Sequence, residues 1–422
     1  MREYQYPTAR VGSPIFVDPR RYADLAAWHR EAARLRREDP VHRVEGDTFR
    51  PFWAVTKHAD IFEIERQHDR FWNTKESVFD PSGGAMEEIR AAGGDLKTLI
   101  HMDGAEHRAY RKVAQDWFKP ANLRQEVEPR IRELARRFVD RMLEHDGACD
   151  FVSDVALYYP LHVIMSILGV PEADEPRMLQ LTQKIFGSQD PDFGGEDPGQ
   201  SLLAALLDFA AYFNRMTADR RAHPTGDLAT TIATGTIDGA PLEDLQTISY
   251  YVIVATAGHD TTSSSLAGGL EALVRNPEQL HALQSDLSLV DNAVDEMIRW
   301  VTPVRHFMRF AQEDYVLRGK RIAKGDGLLM SYLSGNRDED VFADPFRFDV
   351  RRANAEDHVA FGLGVHFCLG AHLARLELRE FFRELLPRLE HIELAAEPEY
   401  TASTFVGGPK RMPVRYRLRA AR

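Results

Sequence analysis

The segment between Leu242 and Arg275 constrains the fold more than any other, because it predicts one long helix that stops at Asn276-Pro277. With a rise of about 1.5 Å per residue, such a helix is about 50 Å long and crosses a whole domain. Its middle reads YYVIVATAGHDTTSSS, apolar on every side and then abruptly polar. Gly258 and the hydroxyl residues after it are unfavourable inside a regular helix. This polar cluster therefore predicts a function, with a kink relieved by Ser and Thr back-bonding as the structural alternative.

Composition excludes several classes of protein. The chain has 422 residues, and its 53 Lys and Arg against 65 Asp and Glu give a net charge of −12, which disfavours a general nucleic-acid binder. Cys149 and Cys368 are its only cysteines, which excludes a disulfide framework or a cysteine-rich metal site and favours a reducing compartment. The N-terminal residues lack the apolar region of a signal peptide. The longest uncharged run, between Asp244 and Asp260, is shorter than the roughly 18–20 residues of a membrane span. We therefore expect a cytoplasmic protein with no nucleic-acid or membrane partner.

Helical spacing dominates the rest of the chain, and no linker divides it. We expect helices over 22–37, 58–67, 106–145 with a break near Pro120, and 152–168 before Gly169. Strand patterns are confined to short pieces at 42–45, 52–56, 315–317, 327–331 and 414–418. Two irregular stretches, 73–104 and 187–199, contain several glycines, and the first is long enough to form a lid. The sequence predicts a single, mainly α domain over residues 1–422 with small β-sheets.

The second informative feature is FGLGVHFCLG at 361–370, which leads into the helical run AHLARLELREFFRELL. It lacks the third glycine of a dinucleotide-binding loop, and no βαβ unit surrounds it. Gly362 and Gly364 allow positive φ angles that turn amide N–H groups towards one sulfur. Cys368 stands at a helix start, where the dipole lowers a thiol pKa, and Gly370 lets a flat ligand approach the backbone. This setting favours a chemically employed Cys368 over a buried structural cysteine.

The pattern Phe361-x-x-Gly364-x-His366-x-Cys368-x-Gly370 resembles the haem-binding loop of cytochrome P450 enzymes. The resemblance implies the cytochrome P450 fold, with a long central helix over haem b and the Cys368 thiolate as the proximal iron ligand. It also implies a set of residues that contact the cofactor: Ala257, Gly258, Phe361, Gly362, His366, Cys368 and Gly370.

The sequence AGHDTT at 257–262 resembles the oxygen-activating segment of the same family. The resemblance implies that Thr261 hydrogen-bonds to dioxygen and that Asp260 relays protons from solvent. A kink near Gly258 would give oxygen and water room. We expect His259 to rotate away from this site, with a second proton relay as the alternative.

Glu296-x-x-Arg299 resembles a pair that is characteristic of the family, and FRFDVRR at 346–352 resembles the meander that supplies a third member, Arg352. In isolation such a pair is usually a solvated surface pair of little energetic value. The resemblance implies instead a buried triad that supports the Cys368 loop and takes no part in catalysis.

Haem carries two propionates, which need cations or hydrogen-bond donors. The resemblance points to His107 and Arg111, four residues apart on one helix, and to Arg309 and His366. Each of them could instead be an ordinary surface or core residue. The family's Asp-Pro-Pro before that helix is replaced here by Asp-Gly-Ala at 103–105. The conformation of this turn therefore stays open, whereas the helix after it is still expected.

The electrons must come from another protein, because the chain has no flavin-binding segment and no ferredoxin-type set of cysteines. The resemblance is to the bacterial class served by a [2Fe-2S] ferredoxin and an NAD(P)H-dependent ferredoxin reductase. A basic docking face could bind the acidic ferredoxin, although the same charges could simply be solvated. Its candidate residues are Arg108, Arg111, Lys112, Lys119, Arg124, Arg375 and Arg379.

The expected pocket wall is apolar and favours a compact hydrophobic substrate. Its candidate residues are Ile253, Ala257, Val304, Phe307, Phe405 and Val406. Phrases such as DVALYYPLHVIM and TFVGGPK resemble the α-terpineol-hydroxylating subfamily of bacterial cytochromes P450. The resemblance implies a ferredoxin-dependent monooxygenase that inserts one oxygen atom of O2 into a C–H bond of a monoterpenoid or an alkyl-aromatic or cyclic hydrocarbon. A steroid or fatty-acid hydroxylase, a peroxide-driven haem enzyme and a haem-binding sensor without turnover are the alternatives.

Overall fold

The computed structural model describes residues 8–74, 76–79, 97–186, 189–194 and 198–420. Helices dominate this part of the chain, as the spacing of apolar residues predicts. In chain order the longer helices are α1 (Leu25–Glu38), α2 (His58–Glu65), α3 (Gly104–Gln115), α4 (Glu128–Met142), α5 (Tyr158–Leu168), α6 (Glu175–Phe186), α7 (Pro198–Ala222), α8 (Leu228–Ala233), α9 (Asp244–Ala257), α10 (Asp260–Arg275), α11 (Pro277–Ser285), α12 (Val290–Val301) and α13 (Ala371–Leu385).

The predicted central helix is present but is broken at its polar midpoint into α9 and α10. Gly258 and His259 separate the two helices. Gly258 lies so close to α5 that a Cβ atom there would come within 2.7 Å of the Ile164 side chain. The hydroxyl of Thr261 donates back to the Ala257 carbonyl oxygen at 3.0 Å, as expected for a break relieved by back-bonding. The structure thus contains the predicted kink, and the kink lies within AGHDTT.

Helix boundaries differ from the predictions by a few residues, because caps and tight turns set them. The central helix starts at Asp244 rather than Leu242, one residue after a Glu243 N–H that donates to the Gln246 side chain at 2.9 Å. The helix predicted over 152–168 begins with a π-helical segment, Val152–Ala156. It ends as predicted at Gly169, whose φ of 77° lies in the left-handed region.

The strands are short, as predicted. They are β1 (Ala9–Val11), β2 (Val41–Gly46), β3 (Phe52–Val55), β4 (Phe71–Trp72), β5 (Ala148–Asp150), β6 (Thr236–Ile237), β7 (Ala240–Pro241), β8 (His306–Ala311), β9 (Tyr315–Leu317), β10 (Lys320–Ile322), β11 (Gly327–Ser331), β12 (Leu389–Leu394), β13 (Glu399–Tyr400), β14 (Pro409–Arg411) and β15 (Pro413–Leu418). The largest sheet has six strands in the order β1-β2-β3-β11-β8-β4. β3 pairs with β11 in parallel, and β8 pairs with β11 antiparallel, which sets Arg309 opposite Leu328.

Helix α10 runs through the largest buried apolar cluster. Leu266, Ala267, Leu270 and Leu273 have no exposed surface, and the helix packs against α5, α12 and α13. Close-packed interiors have low compressibility, so helices that share one keep fixed positions relative to each other. This core therefore fixes the broken end of α10 relative to α13, the helix that follows Cys368.

Two predicted features lie partly outside the described residues. The irregular stretch 73–104 includes 75 and 80–96, and the stretch 187–199 includes 187–188 and 195–197, so the lid stays a prediction. Among the helices that the structure describes, none combines the length and apolar character needed to cross a bilayer.

Candidate active site

The loop before α13 presents Cys368 on a backbone that only glycines can form without strain. Gly362 and Gly364 have φ angles of 64° and 65°, as the sequence predicts. A Cβ atom on Gly364 would lie 2.6 Å from the carbonyl oxygen of Glu65. The N–H of Cys368 donates to the carbonyl oxygen of Phe361 at 2.9 Å. The loop is therefore closed on itself and pressed against the end of α2.

The Cys368 side chain is exposed, yet protein surrounds it deeply enough for burial to raise the pKa of its thiol. A thiol that is both exposed and surrounded lies on the wall of an internal cleft. The Gly370 N–H and the charges of Arg111 and Arg375 oppose the effect of burial on this pKa without cancelling it. The predicted lowering of the Cys368 pKa is therefore wrong for the protein alone, because desolvation outweighs this hydrogen bond and these two charges.

Two of the predicted propionate-binding residues, His107 and His366, lie side by side, with ring centroids 4.2 Å apart. Burial, followed by the charges of His366 and Arg111, lowers the pKa of His107 to about 4. Within the described ranges, His107 Nδ1 and His366 Nε2 are buried without a hydrogen-bond partner, although Asp103 Oδ1 lies 3.6 Å from the latter. Arg111 donates to the Phe367 carbonyl oxygen at 2.7 Å. His107 and Arg111 therefore both contact the Cys368 loop, and the binding of propionates by these residues stays a prediction.

Arg309, the fourth predicted propionate ligand, is paired with Glu65, a carboxylate that sequence reasoning missed. Both side chains are almost completely buried. Glu65 Oε1 accepts hydrogen bonds from Arg309 and from the Tyr332 hydroxyl, and Oε2 accepts one from the Leu363 N–H at 2.8 Å. One signal was present in the sequence: Glu65 stands beside Ile64 on the face of α2 that also carries Ile61, where a solvated glutamate is out of place.

At the break between α9 and α10, Asp260 and His259 lie together. His259 has no exposed surface, and its Nε2 atom is 3.2 Å from Asp260 Oδ1. Burial raises the pKa of Asp260 against the influence of His259, and burial lowers the pKa of His259. Ala257, one turn earlier, is exposed although most of α9 is buried. The His259 ring thus lies beside the Asp260 carboxylate, and the expectation that it rotates away from the oxygen-activating site stays a prediction.

The predicted triad is assembled in the interior. Glu296 and Arg299 have fully buried side chains and share two hydrogen bonds of 2.7 and 2.8 Å. Arg352 Nε reaches both carboxylate oxygens of Glu296, at 3.0 and 3.2 Å. The Asp349 N–H donates to the same carboxylate at 3.0 Å. The triad thus ties α12 to the segment that leads to the Cys368 loop.

Four predicted pocket residues meet after α12. Val304 and Val406 form an isolated antiparallel bridge, and the rings of Phe307 and Phe405 lie 5.3 Å apart in an edge-to-face contact. Ile253, on α9, is partly buried and packs against the main apolar cluster, so its place in the pocket stays a prediction. The C-terminal turn and the segment after α12 therefore form one apolar wall.

The predicted basic face is smaller than the sequence implied. Arg375 donates to Asp295 at 2.7 Å, and Arg379 to Glu380 at 3.1 Å, so both are engaged in ion pairs near α12 and α4. Arg111 is partly buried and bonded to the Cys368 loop. The side chains that remain exposed are those of Arg108, Lys112, Lys119 and Arg124.

Comparison with known proteins identifies this architecture. Residues 201–412 match the family model described as Cytochrome P450. The chain is 43% identical over 410 residues to Cytochrome P450-terp of a Pseudomonas species, covering 94% of this chain and 95% of that protein. It is 32% identical to Steroid C26-monooxygenase of Mycolicibacterium smegmatis, over 92% of this chain and 90% of the relative. Among solved structures, CYP108D1 of Novosphingobium aromaticivorans matches with a TM-score of 0.89 and 41% identity, covering 96% and 97% of the two chains.

A fold of this kind, with a cysteine loop under a broken central helix, defines a haem-thiolate protein. The chain belongs to the cytochrome P450 family. It is a monooxygenase of that family and binds haem b. The residues present fit the cofactor: Cys368 offers a thiol on a cleft wall, and a Cβ atom on Gly370 would meet nothing within 4 Å. His107 and His366 add buried ring nitrogens that lack a hydrogen-bond partner among the described residues.

Proposed function

We propose that this protein is a ferredoxin-dependent monooxygenase that inserts one oxygen atom of O2 into a C–H bond of a monoterpenoid or an alkyl-aromatic or cyclic hydrocarbon. The observation that carries the proposal is the Cys368 thiol on the wall of a cleft, in a chain 43% identical to Cytochrome P450-terp. The apolar wall of Val304, Phe307, Phe405 and Val406 supports a hydrophobic substrate. A Mycobacterium marinum cytochrome P450 solved with pseudoionone, 33% identical to this chain with a TM-score of 0.86, supports the same class.

Haem b, held through the Cys368 thiolate, supplies the iron at which O2 is activated and the C–H bond is oxidised. Arg111, His366, His107 and Arg309 would bind the propionates. Gly370 would leave room for a flat ring, and Phe361 and Gly362 would contact the group. The Glu296–Arg299–Arg352 triad supports that loop.

The residues of the helix break manage the protons. Asp260 holds a proton at its carboxyl group and passes it towards the oxygen that Thr261 positions by a hydrogen bond. The break at Gly258 and the exposed Ala257 provide space beside these two side chains. Ile253 lies one turn before Ala257 on the same helix and extends the pocket.

Electrons come from a [2Fe-2S] ferredoxin and its NAD(P)H-dependent reductase, since the two cysteines of the chain are too few to ligate an iron–sulfur cluster of its own. The exposed cations Arg108, Lys112, Lys119 and Arg124 form the docking face for this acidic partner. Residues 1–422 act as one haem-thiolate monooxygenase domain. A cytoplasmic location is supported by the two cysteines of the chain.

A steroid hydroxylase is the second candidate, because a Steroid C26-monooxygenase is 32% identical over 92% of the chain. An optical titration of the ferric holoprotein with α-terpineol, p-cymene and a steroid separates the two. A nearly complete low-spin to high-spin change of the Soret band with α-terpineol or p-cymene supports the first candidate. A change with the steroid alone assigns the chain to the second. If haem-reconstituted protein shows no Soret band while Cys368→Ala behaves identically, the proposed role of Cys368 is wrong.

A further inference from the structure

We propose that Glu65 is a positioning residue that joins the Cys368 loop to Arg309 and sets the charge on this side of the haem. The inference rests on the function proposed above, and it assigns a role to a residue outside every predicted motif. Its carboxylate is the meeting point of three parts of the fold: Arg309 on β8, Tyr332 after β11, and Leu363 in the loop.

The Leu363 contact fixes the loop itself. Leu363 stands between Gly362 and Gly364, the two residues with left-handed φ angles, and its N–H donates to Glu65 Oε2 at 2.8 Å. The backbone carbonyl of Glu65 also abuts Gly364, where a Cβ atom would approach to 2.6 Å. The side chain of Glu65 thus binds the middle of the turn that leads to Cys368, and the backbone of the same residue lies against Gly364.

Stability alone does not explain a carboxylate at this position. The desolvation of a buried ion pair offsets most of its Coulombic gain, and apolar residues of similar volume are often as stable. The Glu65 side chain is fully buried and that of Arg309 is 4% exposed. In the part of the chain that the structure describes, Glu65 is the carboxylate that forms an ion pair with Arg309. A buried charge with this geometry points to a role in the electrostatics of the site.

The expected consequence is a shift in the reduction equilibrium. Glu65 balances the charge of Arg309, so the surroundings of the haem are less positive than Arg309 and Arg111 alone would make them. Replacing Glu65 with a neutral residue leaves Arg309 uncompensated, and a more positive environment favours the reduced cofactor, which carries one more electron. Glu65→Gln should therefore raise the reduction potential.

The test measures the midpoint reduction potential of four purified holoproteins: wild type, Glu65→Gln, Tyr332→Phe and Glu63→Gln. We expect Glu65→Gln to favour the reduced form by about three- to tenfold, where tenfold corresponds to 59 mV for one electron. Tyr332→Phe removes a hydrogen bond from the same carboxylate but no charge, so its equilibrium should change less than twofold. Glu63→Gln removes an exposed carboxylate from the same helix and should leave the potential unchanged. Equal potentials in Glu65→Gln and Glu63→Gln would overturn the proposal.

Glu65→Asp covers the case in which the glutamine variant does not fold. It keeps the charge but shortens the reach to Leu363, so the potential should stay within about twofold of wild type while haem is lost to apomyoglobin several-fold faster. An unchanged rate of haem loss contradicts the positioning role. The wild type is examined first for the spectrum of a thiolate-ligated haem. If the wild type lacks this spectrum, the proposed function is refuted. If the wild type shows the spectrum but the Glu65 variants change neither the potential nor the rate of haem loss, only this inference is refuted.

Discussion

The Nε2 atom of His259 lies 3.2 Å from Oδ1 of Asp260, and the two side chains meet where the central helix is broken. Asp260 Oδ2 and both ring nitrogens of His259 are buried without another hydrogen-bond partner in the described residues. Buried polar atoms without partners cost about 1–3 kcal/mol each. Burial raises the pKa of Asp260 and lowers that of His259, so burial shifts each of the two groups towards its neutral form.

His259→Phe should therefore uncouple the enzyme, because the apolar ring cannot orient the Asp260 carboxyl group. We expect the fraction of NAD(P)H electrons that appear in product to fall about three- to tenfold, with the difference appearing as hydrogen peroxide. This is less than the roughly 10²–10⁴-fold contribution of a proton-transfer group itself, because His259 only orients Asp260. His259→Gln, which keeps polar atoms, should retain most of the coupling. Thr261→Ala is the positive control. Wild-type coupling in the phenylalanine variant would remove His259 from proton delivery.

Gly364→Ala should destabilise the fold more than an alanine at a comparable glycine. Gly364 and Gly319 both have positive φ angles, 65° and 75°, but a Cβ atom meets the Glu65 backbone at 2.6 Å in the first case and nothing within 4 Å in the second. We expect Gly319→Ala to lower the free energy of unfolding by about 1–2 kcal/mol from strain alone. Gly364→Ala should cost at least about 3 kcal/mol, because strain and a backbone clash combine. Urea unfolding measures the free energy of unfolding of both variants. Equal losses of this free energy would mean that the loop shifts to accommodate the added Cβ atom at no energetic cost.

Glu296→Gln should be among the most destabilising single changes on α12. It removes the carboxylate that two buried guanidinium groups, Arg299 and Arg352, contact at 2.7 to 3.2 Å. Breaking a buried pair costs about 3–5 kcal/mol, because the remaining charge stays desolvated. Asp291→Asn is the matched control: its carboxylate is 59% exposed and pairs with Arg383, so we expect a loss of at most about 1 kcal/mol. Similar urea midpoints for the two variants would contradict the structural role of the triad.

The comparison of sequence and structure shows which kinds of interaction a sequence reveals. Gly362, Gly364 and Cys368 were predictable because a glycine spacing and a helix start each impose a local backbone geometry. The Glu296 triad was predictable because its residues carry a recognisable spacing. Glu65, in contrast, meets Leu363 across 298 positions of the chain, and nothing local to α2 specifies that partner. The orientation of His259 depends on how the helix breaks. The residues of AGHDTT alone do not predict that Gly258 packs against Ile164 of α5.

The free energy of unfolding should fall as the pH drops below about 6.5, and His306 should account for a measurable share. Its Nδ1–H donates to the Thr404 carbonyl oxygen at 2.9 Å, and Nε2 accepts the Phe79 N–H at 3.1 Å, an arrangement that only a neutral ring satisfies. Burial lowers the pKa of His306 to about 3. The unfolded chain therefore takes up a proton below its pKa of about 6.5 while the folded chain does not, so this stabilisation is complete above pH 6.5 and is lost progressively towards pH 3.

His306→Gln isolates that share, because the amide can donate to Thr404 and accept from Phe79 but does not titrate. We expect urea unfolding to show that the gap in free energy of unfolding between wild type and variant is about 2 kcal/mol smaller at pH 5 than at pH 7. This value corresponds to 1.5 pH units at about 1.36 kcal/mol each. His391→Gln, at a histidine whose side chain is 51% exposed, should show no narrowing. A gap between wild type and His306→Gln that is the same at both pH values would mean that the folded ring takes up a proton over the same pH range as the unfolded one. The two hydrogen bonds that join the pocket wall at Thr404 to the segment at Phe79 could then not both exist.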